Sequence, residues 1–289
     1  MSTAALALVV LAALAHAAWN VLAKTAGGGA TFVWLFSALA AVIWLPVAPI
    51  ALIVDPHPAV GLEGIAFMAG SGALHAVYFL LLQRGYREGD LSLVYPLARG
   101  TGPLLSTLAA LVIFAERPSA LALAGGAIIV AAVLSLAGAG GGMRTAAGNR
   151  RWAIAFAILT GVAIASYTLW DKQAVGPLGI EPVVYYWGTN VAETALLTGL
   201  VAHRRAEVRS TWVAYRRQAI GVAVLSPLAY VLVLFALAHA PVSYVAPARE
   251  LSILVGAIAG TTVLAEGHRR RRLLAAGAIF AGIVALALG

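Results

Sequence analysis

Apolar residues fall in long blocks separated by short polar stretches, not in narrow stripes or in alternation. A helix that crosses a bilayer needs roughly 20 mostly apolar residues. A window of that length predicts ten helices, near 3–24, 31–53, 63–84, 91–114, 119–138, 150–173, 181–201, 216–238, 243–264 and 270–288. The connections are short, as in Ala115-Glu116-Arg117-Pro118 and Glu266-Gly267-His268, and the longest polar stretches, 138–151 and 203–217, leave no room for a soluble domain. The blocks are too long and too rich in Ala, Leu and Gly for strands, and they lack the period-two alternation of a membrane barrel. Glycine and proline inside them are tolerable, because neighbouring helices can satisfy freed backbone groups. Gly125, Gly126, Gly256 and Gly260 are predicted points of close helix approach.

The N-terminal block ends in Ala15-His16-Ala17, which looks like a signal-peptidase site, but no Lys or Arg precedes Lys24. A secretory signal begins with a basic segment, so the block is expected to be the first membrane helix.

The two halves of the pattern resemble each other. Arg99 and Arg249 are separated by 150 residues, as are Glu116 and Glu266. At a separation of 148, Trp19 pairs with Tyr167 and Lys24 with Lys172. Residues 1–138 and 150–289 are therefore expected to be two five-helix repeats, joined by a glycine-rich linker over 139–149. An odd number of spans per repeat inverts the second copy, and a site is then expected near the bilayer midplane where the repeats meet.

Composition agrees with lipid as the solvent. Of 289 residues, 62% are hydrophobic and 10% charged, against about 25% charged in an ordinary soluble domain. The net charge of +8 does not mark a nucleic-acid binder, because it is unevenly spread over the loops. Fifteen of the nineteen Lys and Arg residues lie in the odd-numbered loops, and only Arg117 and Lys172 in the even ones. The excess of Lys and Arg marks cytoplasmic loops, which puts both termini outside. The absence of cysteine removes disulfides and thiolate metal sites from consideration.

Several segments, taken in order, resemble the drug/metabolite transporter superfamily, specifically proteins with paired EamA domains. They are His16-Ala17-Ala18-Trp19-Asn20 with Lys24, Tyr95-Pro96-Leu97-Ala98-Arg99-Gly100-Thr101-Gly102-Pro103, Ala115-Glu116-Arg117, Tyr167 with Asp171-Lys172, and Ala246-Pro247-Ala248-Arg249-Glu250 with Ala265-Glu266. The resemblance covers essentially the whole chain. It implies ten helices, a central cavity lined by helices one, three, four, six, eight and nine, and export of amino acids or other small metabolites. In many members both termini are cytoplasmic, opposite to the charge count here.

Two cations lie several residues inside predicted spans: Arg99 in the fourth and Arg249 in the ninth. A charge at mid-bilayer costs about 2.5–3.5 kcal/mol on insertion scales, so intramembrane ionisable groups are candidates for function. The planar guanidinium suits a carboxylate or phosphate. Tyr95 shares a face with Arg99. The structural alternative pairs Arg249 with Glu250 and lets Arg99 snorkel. Glu193 and Glu250 are the deepest carboxylates and the candidates for carrying a coupling proton. The plainer role, favoured for Glu193, is a hydrogen-bonded contact between helices. Trp19 and Asn20 with His16, His75 with Tyr78, Tyr167 with Trp170 and Asp171, and Ser226 with Tyr230 each share a helix face. Trp19, Asn20, His75, Tyr78, Tyr167 and Tyr230 are candidate pocket residues, against the alternative of an aromatic belt at the membrane surface. Glu116 and Glu266 are expected to be architectural, holding the turn into the next helix.

The expected protein is an all-α, multi-pass protein of the cell inner membrane. Its expected function is a secondary transporter that exports a small polar metabolite, such as an amino acid or organic anion, by alternating access. Alternatives are uptake of a phosphonate-like anion and, behind it, an intramembrane enzyme. No G-x-x-x-x-G-K-[ST], G-x-S-x-G or H-E-x-x-H occurs, so neither ATP nor a familiar hydrolase or metal chemistry is suggested. No catalytic residue, metal or cofactor is expected. The expected partners are a small-molecule substrate and the lipid bilayer, with a homodimer as an option and no nucleic acid.

Overall fold

A computed structural model describes residues 2–26, 29–54, 60–89, 91–137, 147–253 and 269–289. Those residues form helices and connecting turns and no strand. In order, the helices are α1 (Thr3–Thr25), α2 (Ala30–Ile43), α3 (Val47–Val54), α4 (Leu62–Glu88), α5 (Leu91–Ile113), α6 (Ala120–Ala137), α7 (Ala147–Val175), α8 (Pro182–Val201), α9 (Arg205–His239), α10 (Val242–Ala248) and α11 (Arg269–Leu288). Five of them, α1, α4, α5, α7 and α9, are long and apolar enough to cross a membrane, and α2 with α3 makes a sixth span if the bent pair is one crossing. Apolar stretches in α6 and α11, Ala120–Ser135 and Leu274–Leu288, are shorter. Lipid as the surrounding medium explains why Val42, Ile53, Leu62 and Val112 are among the many fully apolar side chains left exposed.

The breaks have local causes. The 46° bend between α2 and α3 falls at Pro46, which has no N–H to continue the helical ladder. α9 changes direction at Tyr215, whose φ of −130° and ψ of 21° are not helical. The predicted ninth span begins as α10, with Pro247 inside it, and opens into a turn at Arg249 and Glu250. Residues 254–268, with Gly256, Gly260 and Glu266, lie outside the described residues. So does most of the 139–149 linker.

Packing joins the first part of the chain to the second. α1 lies on α9, and α4 on α7; α2 lies on α9, and α4 on α8; α2 meets α8, and α6 meets α11. Glycine sets the α6–α11 spacing. A Cβ on Gly125 would sit 2.6 Å from the Gly282 carbonyl oxygen, and one on Gly282 would sit 2.7 Å from that of Gly125. α5 ends at Ala115, a non-glycine residue with φ of 49°, where the Glu116 N–H returns to the Ala110 carbonyl at 3.4 Å. That reversal follows the left-handed stop common at helix C-termini.

Candidate functional site

Three buried clusters meet where α4, α5, α7, α8, α9 and α10 converge. The first holds the charges. Arg99 of α5 and Glu250, in the turn after α10, are both buried, with Nε and Oε2 3.2 Å apart. The Arg99 Nη2 also donates to the Ser252 hydroxyl at 3.3 Å. The guanidinium lies 6.0 Å from the centre of the Tyr95 ring. Arg99 therefore does not snorkel, and Glu250 pairs with the arginine of the other half rather than with its neighbour Arg249. The Arg249 guanidinium instead lies over the Tyr230 ring, 5.5 Å from its centre. Among the described residues no carboxylate lies within ion-pair distance of it. A desolvated cation over a tyrosine face gains of the order of 2 kcal/mol, too little to neutralise it, so this cation remains available to an anion.

The second cluster is a box of rings. His75 of α4 stacks on Tyr167 of α7 with centroids 4.2 Å apart, and meets Tyr230 of α9 at 5.3 Å. Tyr78 lies edge-on to Tyr167 at 5.8 Å, and Tyr186 of α8 reaches Tyr230 at 6.1 Å. The i, i+3 spacing of His75 and Tyr78 turns both to α7. These rings carry hydrogen-bonding edges in an apolar setting, which suits a small amphipathic solute.

The third cluster fixes the box. Asp171 of α7 is fully buried. Its Oδ1 accepts from the Ser71 hydroxyl at 2.6 Å and the Tyr185 hydroxyl at 2.7 Å, and its Oδ2 accepts from the Tyr230 hydroxyl. Four helices thus converge on one carboxylate. Tyr230 links it to the arginine, because its hydroxyl holds Asp171 while its ring face carries Arg249. The His75 Nδ1 lies 2.9 Å from the Ser71 carbonyl, which orients that ring as well.

Not every candidate joins this site. Trp19 packs edge-on to His16 at 4.8 Å and against the separate cluster of Phe32 and Phe36. The Asn20 amide donates to the His16 carbonyl at 2.8 Å. Trp170 is partly exposed and donates to the Phe67 carbonyl at 2.8 Å. The sequence places Asp171 on the Tyr167 face, among the possible pocket residues, but gives no signal for Ser71, Tyr185 or Tyr186. The cue for Asp171 was its i+4 spacing from Tyr167 inside an apolar span. Glu193 does not bridge helices through its Oε1, which is buried without a hydrogen-bond partner.

Glu116 is architectural in a different way from that expected. Its carboxylate accepts from the backbone N–H groups of Val242 at 2.7 Å and Ser243 at 2.9 Å. It therefore caps the start of α10, an element of the other half, where an anion meets the positive end of the helix. On the same junction, the Lys172 ammonium donates to the carbonyls of Leu237 at 2.6 Å and Ala240 at 3.2 Å, at the end of α9. Two charged side chains thus fix the break from which Arg249 and Glu250 follow. Among the described residues no group of three His, Asp or Glu side chains could hold a metal. Two open cavities lie away from Arg99 and Arg249: one of about 640 Å³ against Arg205, Arg209 and Val213, and one of about 240 Å³ against Val33, Phe79 and Arg87.

Comparison with known proteins agrees with this architecture. Residues 151–288 match the model of the EamA-like transporter family. No curated protein matches the chain. A solved structure, titled only as a crystal structure of a protein, is similar with a TM-score of 0.76 at 17% identity, over 100% of this chain and 98% of that one. At that identity the likeness speaks for the fold alone. The second half of the chain is thus an EamA-like transporter domain of the drug/metabolite transporter superfamily, carried in an integral multi-pass membrane protein.

Proposed function

We propose that this protein is a secondary transporter of the inner membrane that exports a small metabolite bearing a carboxylate or similar anion, such as an amino acid, by alternating access. The observation that carries the proposal is Arg249: a buried cation over the Tyr230 ring, without an acidic partner among the described residues, beside an arginine that has one. The substrate's anion replaces the missing partner. Its remaining part lies against His75, Tyr78, Tyr167 and Tyr230. Arg99 with Glu250 and Tyr95 forms the neighbouring wall. Trp19 and Asn20 are left out of the contact shell.

Alternating access follows from two inverted five-span repeats. The contacts support that division, because exchanging α1 with α7, α4 with α9 and α2 with α8 maps the α1–α9 packing onto α4–α7 and the α2–α9 packing onto α4–α8. The loop charges favour both termini outside. Transport without covalent chemistry accords with a site made of one cation, one ion pair and aromatic rings.

Counterflow in proteoliposomes tests the proposal, using radiolabelled alanine, phenylalanine, glutamate and succinate in turn. Exchange of at least one is expected, with more than a tenfold loss in Arg249→Ala and partial retention in Arg249→Lys, which keeps the charge without the fork. Full exchange of an anion by Arg249→Ala overturns the assignment.

A further inference from the structure

The aromatic box does not end at Tyr230. Tyr186, which touches Tyr230, is the first residue of a stripe along α8 that continues with Asn190 and Glu193. Their spacing of i, i+4 and i+7 puts all three on one helix face. Glu193 and Asn190 are 6% and 3% exposed, so both are more than nine-tenths buried. The Glu193 Oε1 and the Asn190 Oδ1 have no hydrogen-bond partner.

Among the described residues the surroundings offer no counter-ion. α4 crosses here with its backbone against α8: a Cβ on Gly72 would lie 2.8 Å from both the Thr189 carbonyl oxygen and the Glu193 nitrogen. At that crossing the α4 residue facing Glu193 is Gly72, which has no side chain to offer. α2 and α3 contain no ionisable residue. On α4, His75 is committed to Ser71 and Tyr167, Tyr78 to the ring box, and Arg84 to Glu88; Glu63, Tyr86 and Arg87 lie toward the helix ends. On α7, Asp171 is committed to its three hydroxyls and Lys172 to α9. On α9, Tyr230 bonds Asp171, Glu207 accepts from Thr31, and the arginines lie in the first half of the helix. Among the described residues no cation reaches Glu193.

Two unpartnered acceptors one turn apart, both buried, need a donor. A proton on Glu193 is the smallest one available: an O–H formed at Oε1 neutralises the carboxylate and can donate to the Asn190 oxygen. We propose that Glu193, supported by Asn190, is a proton-binding site of the transport cycle, connected to the aromatic box through Tyr186. The proton arrives from water on one side of the membrane, resides as the O–H of the acid, and leaves to water; no other reactant takes part. Glu250, held by Arg99, is not that site. The proposal rests on the transporter assignment for its role in a cycle, but its test does not require an identified substrate.

The test is infrared difference spectroscopy of the full chain reconstituted in lipid and titrated with pH, with ¹³C-glutamate labelling to mark glutamate carboxyls. A protonated-glutamate carbonyl band is expected that appears and disappears reversibly with pH. It should be absent in Glu193→Gln, present in Glu250→Gln, and displaced in its titration midpoint by Asn190→Ala and Tyr186→Phe. If Glu193→Gln fails to fold, the displacement of the isotope-marked band by Asn190→Ala, together with its persistence in Glu250→Gln, keeps the test valid. Three results would overturn the proposal: a band that survives Glu193→Gln, one that never titrates, or a carboxylate that stays ionised and responds to sodium instead. A Tyr186→Phe titration identical to wild type would equally remove the link to the box. Counterflow and the carboxyl band can fail independently, so loss of one assignment does not disguise loss of the other.

Discussion

Removing one member of the Arg99–Glu250 pair is the sharpest perturbation of the seam. At 3.2 Å and an effective dielectric of about 20, the attraction between the two charges is about 5 kcal/mol before desolvation. Glu250→Gln removes the anion and leaves a buried guanidinium with the Ser252 hydroxyl and the Tyr95 ring as its other contacts. Breaking a buried pair in this way costs about 3–5 kcal/mol, because the surviving charge has lost its compensation. At about 2 °C per kcal/mol for a chain of this size, the midpoint of thermal unfolding should fall by roughly 6–10 °C. The seven tryptophans provide an intrinsic fluorescence readout in detergent. Arg99→Met should cost a similar amount, whereas Arg99→Met with Glu250→Met should recover most of the loss, since apolar replacement of both partners is often neutral. The cycle should therefore report strong coupling. Single variants within about 0.5 kcal/mol of wild type, or losses that add in the double variant, would refute a compensated ion pair across the two halves.

Other parts of the account are open to equally direct tests. Asp171→Asn exchanges a carboxylate that accepts three hydrogen bonds for an amide with a single acceptor, and should lower stability by about 2–4 kcal/mol in thermal unfolding. Glu116→Ala should cost about 1–2 kcal/mol, and hydrogen exchange should quicken at the Val242 and Ser243 amides that it caps. Gly72→Ala should cost about 1–3 kcal/mol by forcing α4 from α8, measured by the same unfolding assay. Ala115→Gly should stabilise the protein by about 1 kcal/mol, because it relieves the left-handed backbone there.

Hydropathy made the helices legible, since lipid requires long apolar blocks and their ends are marked by loops. The breaks were less so. Pro46 and Pro247 were visible in the sequence, but whether a proline kinks a span or is accommodated depends on the helices packed beside it. The two arginines stood out because a charge is costly in lipid. Their unequal fates did not, because Arg99 and Glu250 come from different halves of the chain and helical spacing carries no information about partners that distant. For the same reason Asp171 could be placed on a face with Tyr167 but not given its three hydroxyls, which come from α4, α8 and α9. Trp19 shows the limit of the repeat. Its offset to Tyr167 suggested an equivalent role, yet Tyr167 entered the ring box while Trp19 packed beside Phe32 and Phe36. Glu116 was legible as a terminal residue, but its cap on α10 depends on the turn at Ala115, whose left-handed backbone no glycine announced.

Alternating access requires that the seam around Arg249 be reached by water from each side of the membrane in turn. The chain has no cysteine, so a single Ala248→Cys, placed beside Arg249, can be probed with a membrane-impermeant thiol reagent in right-side-out and in inside-out vesicles. The account predicts labelling in both preparations, slowed in each by mutation of the Glu116 cap or by a transported solute. Labelling from one side only, or from neither, would contradict it.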